Sequence, residues 1–146
     1  MTLSDWEKNG WLKPHISSKQ EIGNLLAIVE RDLKDAGQVE LSPDWRFGIA
    51  YNAALKLCTI LLYTSGYRPD KSLAHIRTIH ALSKIMGVDK DDDEAYLDAC
   101  RIKRNTVEYT NAGEATSSDA EELIDYVKDF KLEVEEWLNK RYPEFL

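Results

Sequence analysis

Ser42-Pro43-Asp44-Trp45-Arg46-Phe47-Gly48-Ile49-Ala50-Tyr51-Asn52-Ala53-Ala54-Leu55-Lys56-Leu57-Cys58-Thr59-Ile60-Leu61-Leu62-Tyr63-Thr64 decides the fold. Ser42 is a helix N-cap residue and Pro43 suits the first helical position, where its missing N–H is no loss. From Ile49 through Leu62 the stretch is apolar almost all round, with Asn52, Lys56 and Thr59 as a narrow polar stripe. A helix of that kind belongs in the middle of a protein, with other helices packed on most of its faces.

The flanking sequence supplies those helices. Ser4 with Glu7 reads as a capping box for a short first helix carrying Trp6, with Gly10 as breaker and Trp11 and Leu12 beyond it. A second helix starts at Ser18, with Glu21 as its capping-box partner, carries Ile22, Leu25, Leu26, Val29, Leu33 and Ala36, and stops at Gly37. The turn-rich Ser65-Gly66-Tyr67-Arg68-Pro69-Asp70 leads to a shorter helix with Leu73, Ile76, Ile79, Leu82, Ile85 and Met86, ending at Gly87. Acidic residues from Asp89 to Glu94 open the next helix, where carboxylates suit the dipole. Asn111-Ala112-Gly113 ends it. Ser118 and Glu121 are the expected cap of the last helix, whose Leu123, Val127, Phe130, Val134 and Trp137 alternate at spacings of four and three, a seam for a neighbouring helix. No window shows sustained period-two alternation, so no sheet is expected. The expectation is an all-α, single-domain bundle over 1–146, with about five main helices and an N-terminal extension (1–16) carrying a short helix.

Composition narrows the function. The formal net charge is −7 and the pI about 5.0, so the overall field repels nucleic acid and any binding of it needs a local basic patch. Arg101, Lys103 and Arg104, with Arg68, Lys71 and Arg77 earlier, outline such a patch; the ordinary alternative is a solvated helix face. Cys58 and Cys100 both fall in apolar helical runs and read as small buried hydrophobes of a reducing compartment. No apolar run approaches the roughly 18 residues of a membrane span, and the first residues lack a secretory signal, so a cytoplasmic, membrane-free protein is expected. His75 and His80 stand about 140° apart on a helix and cannot share a metal as an i, i+4 pair would; with only His15 besides, no metal site is expected. Isolated glycines exclude a phosphate loop and a dinucleotide fingerprint, and no serine sits in a nucleophile elbow. No cofactor is implied.

One stretch carries candidate chemistry: Asp98-Ala99-Cys100-Arg101-Ile102-Lys103-Arg104-Asn105-Thr106-Val107-Glu108-Tyr109. Its apolar seam runs Leu97, Cys100, Arg104, Val107, so a guanidinium fills a slot that periodicity assigns to an aliphatic side chain. Either Arg104 snorkels outward to pair with Glu108 one turn on, or it serves a site. Arg101, Arg104, Asn105 and Glu108 share one polar face, on which the arginines could clamp a phosphate or close a salt-bridge network.

These residues, together with Gly10-Trp11-Leu12, Glu21-Ile22-Gly23-Asn24-Leu25-Leu26, Asp44-Trp45-Arg46-Phe47, Ala50-Tyr51-Asn52-Ala53 and Ser65-Gly66-Tyr67-Arg68 with His75, make the chain resemble the HEPN domains, in particular a small bacterial branch of them. Their hallmark is an arginine, usually followed by asparagine, with a histidine five residues after the arginine. Here Arg104 and Asn105 match and Tyr109 stands where the histidine would be. The resemblance implies a helical homodimer with two motifs in one cleft, tied in many family members to a minimal nucleotidyltransferase in a toxin–antitoxin system. It casts Arg104, Asn105 and Tyr109 as the catalytic positions and Arg101, Arg104, Glu108, His75 and Arg68 as ligand contacts. A phenol accepts protons poorly near neutral pH but still donates a hydrogen bond. The expectation is therefore a nucleotide- or RNA-contacting regulatory, partner-binding module without efficient ribonuclease activity. Two alternatives stay open: a metal-independent ribonuclease toxin in which Tyr109 or His75 replaces the histidine, and a purely structural dimer.

Overall fold

The computed structural model describes all residues from Met1 to Leu146. It is an all-α bundle: α1 (Leu3–Lys8), α2 (Lys19–Ala36), α3 (Pro43–Thr64), α4 (Ala74–His80), α5 (Leu82–Met86), α6 (Asp91–Tyr109) and α7 (Ser117–Arg141), with two short strands, β1 (Leu12–Pro14) and β2 (Tyr67–Pro69). The long helix α3 is the axis, and α2, α7, α6 and α4 pack around it. Ala50, Ala53, Leu57, Ile60, Leu61 and Leu62 of α3 are fully enclosed, and its alanines let neighbouring helices approach closely. The α7 seam of Leu123, Val127, Phe130 and Val134 is buried with them. That seam is therefore spent within the chain.

By length and composition α3 could cross a membrane, with a mean hydropathy of 1.3 over its best window, which corrects the expectation that no stretch reaches that length. Two-thirds of that window (67%) is buried inside the bundle. The apolar surround is accounted for by helices rather than lipid.

Several local expectations are also corrected. A sheet exists: β1 pairs antiparallel with β2, Leu12 opposite Pro69 and Pro14 opposite Tyr67. Each strand is three residues long, too short to display alternation, and each ends in a proline, which edge strands tolerate. This ribbon and the cluster of Trp6, Leu12, Leu62 and Ala81 tie the first residues to the bundle. The N-caps of α1 and α7 are Thr2 and Thr116, each in a reciprocal box with Asp5 and Asp119, rather than Ser4 and Ser118. Ser18 caps α2 as expected, but the Glu21 carboxylate turns away to His15 Nε2 at 2.8 Å. Gly37 closes α2 in a right-handed conformation, φ −74°. The expected single helix from Leu73 to Met86 is two short ones meeting at Ala81.

Two buried charged side chains brace the bundle. Arg46 on α3 donates from Nε to the Ala36 carbonyl at 2.7 Å and pairs with Glu121 of α7. Asp32 on α2 accepts from Asn52 at 2.7 Å and from its neighbour Arg31. Both are nearly inaccessible, and both are partnered, as a buried charge must be.

Candidate anion-binding cleft

The seam position of Arg104 is real. Leu97 and Cys100 are buried on the same side of α6, and the Arg104 side chain is only 23% exposed. Its guanidinium carbon lies 5.8 Å from the Tyr51 ring centroid, over α3. It also meets Glu108, Nε to Oε1 at 3.2 Å. Arg104 thus makes the expected pair with Glu108, but from an inward-facing rather than an outward-snorkelling position.

That pairing is incomplete. Nε is buried and makes no hydrogen bond, because its N–H does not point at the carboxylate. Nη1 makes a long contact of 3.4 Å to Asn105 Oδ1. A guanidinium has five N–H donors in a rigid fork, and most of those on Arg104 are unspent.

Beside it, where α4 packs on α6, is a cavity of about 330 Å³ lined by Lys71, Leu73, His75, Arg101 and Asn105 among others. Leu73 is the one non-glycine residue with positive φ, at 56°. Such backbone is strained for a leucine and persists only where surrounding packing enforces it. It starts α4 and so sets where His75 emerges. His75 is exposed at its outer side, its ring centroid 6.4 Å from that of Tyr51. Partial desolvation against the bundle pushes its pKa below the ordinary value, and the charges of Arg104, Lys56 and Arg101 push the same way. A neutral imidazole therefore faces a cluster of cations.

Tyr51 completes the arrangement. It is fully enclosed, and its hydroxyl has no hydrogen-bond partner. Burial raises its pKa, while Arg101 and Arg104 are near enough for their charges to oppose that rise. A buried hydroxyl without a partner is uncommon and calls for a water or a ligand. Sequence reasoning missed Tyr51 because it falls in the apolar run of α3, where an aromatic reads as core.

The structure thus brings Arg101, Arg104, Asn105, Glu108 and His75 to neighbouring positions between α3, α4 and α6. Arg101 is partly neutralised, its Nε donating to Asp98 at 3.0 Å. Two predicted residues lie elsewhere. Tyr109 is 72% exposed and lines a neighbouring depression with Ile102, Thr106 and Asn105, the last shared with the cleft; α6 runs unbroken to it, so it projects about 140° from Arg104. Arg68 is exposed on β2, in register with Lys13. The wider basic patch also disperses: Lys103 pairs with Asp119 at 2.8 Å, and Arg77 lies over the Trp11 ring at 3.9 Å.

Cys58 and Cys100 are both buried and unpaired, with burial raising their thiols to about 12 and about 11. They are packing residues rather than nucleophiles. No group of three or more His, Cys, Asp or Glu side chains is placed to hold a metal ion. No protein-family model matches the chain, and neither a curated protein nor a solved structure matches it.

Proposed function

We propose that this chain is a HEPN-like module that binds the phosphate of a nucleotide or RNA in the cleft between α3, α4 and α6. The observation that carries the reading is the placing of Lys71, His75 and Arg101 on one cavity, with Arg104 one helical turn further along α6, within a protein of net charge −7. A local cationic site in an acidic protein selects a compact anion rather than a long polyanion. The guanidinium of Arg101 and the neighbouring fork of Arg104 offer charge-assisted donors to a phosphate, and His75 and Asn105 offer neutral hydrogen bonds. In this reading the module is regulatory. It works in the cytoplasm as a homodimer, with a minimal nucleotidyltransferase as the partner suggested by the resemblance to HEPN toxin–antitoxin proteins.

The direct test is calorimetric titration with pyrophosphate and with a short single-stranded RNA, in wild-type protein and in Arg101→Ala. Binding that weakens about tenfold in the variant supports the reading, since a charge-assisted contact is worth about 1.5–3 kcal/mol. Absence of binding by either ligand in low salt overturns it.

A ribonuclease reading is favoured by one observation, the placing of His75 and Arg101 on the same cavity. A neutral imidazole can take the proton of a ribose 2′-hydroxyl while an arginine steadies the charge on phosphorus. RNA cleavage in EDTA that disappears in His75→Gln would establish it. Exposed Tyr109 is poorly placed for that step within one protomer.

A further inference from the structure

We infer that the cavity formed by Ser42, Asp44, Trp45, Val107 and Glu108 is a guanine-binding pocket serving the same ligand whose phosphate the Arg104 cleft holds. The inference rests on the phosphate-binding reading above and extends it to the base. The cavity measures about 370 Å³, within the roughly 300–1,000 Å³ range of small-molecule sites. It neighbours the cleft along α6: Glu108 lines the cavity and pairs with Arg104, which stands one turn from the cleft residue Arg101 and next to the cleft residue Asn105.

Its chemistry fits a purine more closely than a pyrimidine or an apolar ligand. Trp45 is 63% exposed at the start of α3, an unusual place for an indole that supports no core contact. A flat exposed aromatic is a stacking platform, and stacking strength rises with the area of the base. Val107, half-buried, supplies an apolar edge.

The polar groups select among purines. Asp44 is already committed: its Oδ2 accepts from Gly113 N at 2.7 Å and its Oδ1 from Ala115 N at 3.0 Å, which fixes the loop after α6. Glu108 is therefore the available carboxylate, and its two oxygens accept two parallel N–H donors. Guanine presents such a pair on its Watson–Crick edge, N1–H and N2–H₂, whereas adenine presents one donor beside an acceptor. Ser42 Oγ accepts from Trp45 N as the cap of α3, leaving its own proton to donate to guanine O6. When Glu108 turns to the base it leaves Arg104, whose freed fork faces the phosphate. Base and phosphate recognition are coupled through that exchange.

Calorimetry with GMP, AMP, UMP and pyrophosphate on the full chain tests this, with circular dichroism as the folding control. GMP is expected to bind wild type about tenfold more tightly than AMP or UMP. Trp45→Ala removes most of the gain of GMP over pyrophosphate, consistent with loss of one stacked base, and leaves pyrophosphate binding unchanged. Glu108→Gln makes GMP and AMP bind alike. Five-nucleotide RNAs with and without one central guanine identify the source: tighter binding of the guanine-containing strand than of GMP places the base on RNA, and the reverse marks a free nucleotide. Equal binding of GMP, AMP and UMP, unaffected by Trp45→Ala while pyrophosphate still binds, overturns the guanine pocket and leaves the phosphate reading standing. Failure of pyrophosphate and every nucleotide to bind overturns both.

Discussion

Glu108 stands one helical turn beyond Arg104 and holds its Oε1 3.2 Å from the arginine Nε, without a hydrogen bond between them. On the proposed phosphate-binding reading this carboxylate competes with the ligand for Arg104. Because it is only loosely held, its displacement would cost little: i, i+4 ion pairs of this exposure contribute about 0.3–0.5 kcal/mol.

Glu108→Gln is therefore expected to tighten pyrophosphate binding several-fold, because one repelling charge near the ligand is removed. At effective dielectrics between protein surface and water, that repulsion is worth about 1 kcal/mol or somewhat more. The melting temperature should hardly change. Unchanged or weaker pyrophosphate affinity in calorimetry would show that Glu108 does not compete for Arg104.

His75 gives a pH signature. Its folded-state pKa lies below the ordinary 6.5, chiefly through partial desolvation, so the unfolded chain binds the proton more readily. Its contribution destabilises the fold as pH falls below about 6.5 and disappears above it. His75→Gln should flatten the stability–pH slope between about pH 5 and 6.5, measured by urea denaturation. A bound phosphate reverses the local field, so wild type should take up a proton on binding pyrophosphate near pH 6, and His75→Gln should not. Calorimetry in buffers of different ionisation enthalpy measures that uptake; an equal value in both proteins would remove His75 from the site.

Arg46 is the structural counterpart of Arg104. It is 5% exposed, and its truncation strands the Ala36 carbonyl and removes the tie to Glu121. Arg46→Ala is expected to cost about 2–3 kcal/mol, less than a fully buried pair because Glu121 is half exposed, and so to lower Tm by about 5–10 °C. A loss under about 2 °C by calorimetry would mean that the guanidinium is not bracing the helices.

Tyr109 should matter little. It is largely exposed and lies around α6 from Arg104. Tyr109→Phe is expected to leave pyrophosphate affinity within about twofold of wild type, since it removes no hydrogen bond to the cleft. A tenfold loss would place the phenol at the ligand, most simply in a cleft shared between two copies.

The bundle was legible because its signals are local and repeated. Ser42-Pro43 starts α3, an apolar surface all round places it centrally, and the α7 seam needs only one helix to be read. The β1–β2 ribbon was not, since three-residue strands show no period and their pairing joins residues far apart in sequence. Cap positions moved by two residues because Thr2 and Ser4, or Thr116 and Ser118, satisfy similar rules. For the site, periodicity exposed Arg104 as a charge in an apolar slot. It could not show that α4, started by a left-handed Leu73, brings His75 beside Arg101, or that Tyr51 leaves a buried hydroxyl unpartnered. It also could not separate Arg46, buried and structural, from Arg104, part-buried and with donors unspent, because the difference lies in partners on other helices.

On the proposed reading Arg104 is held for a ligand rather than for the fold. Paired measurement of pyrophosphate affinity by calorimetry and of Tm by scanning calorimetry, on wild type and Arg104→Ala, tests it most directly. Arg104→Ala is expected to lose at least about tenfold in affinity, the worth of one charge-assisted contact, with a stability change below about 1 kcal/mol, because Glu108 is already partly in solvent. A fall in stability on the order of 3 kcal/mol, with pyrophosphate affinity unchanged or undetectable in both proteins, would contradict it and make Arg104 a structural ion pair.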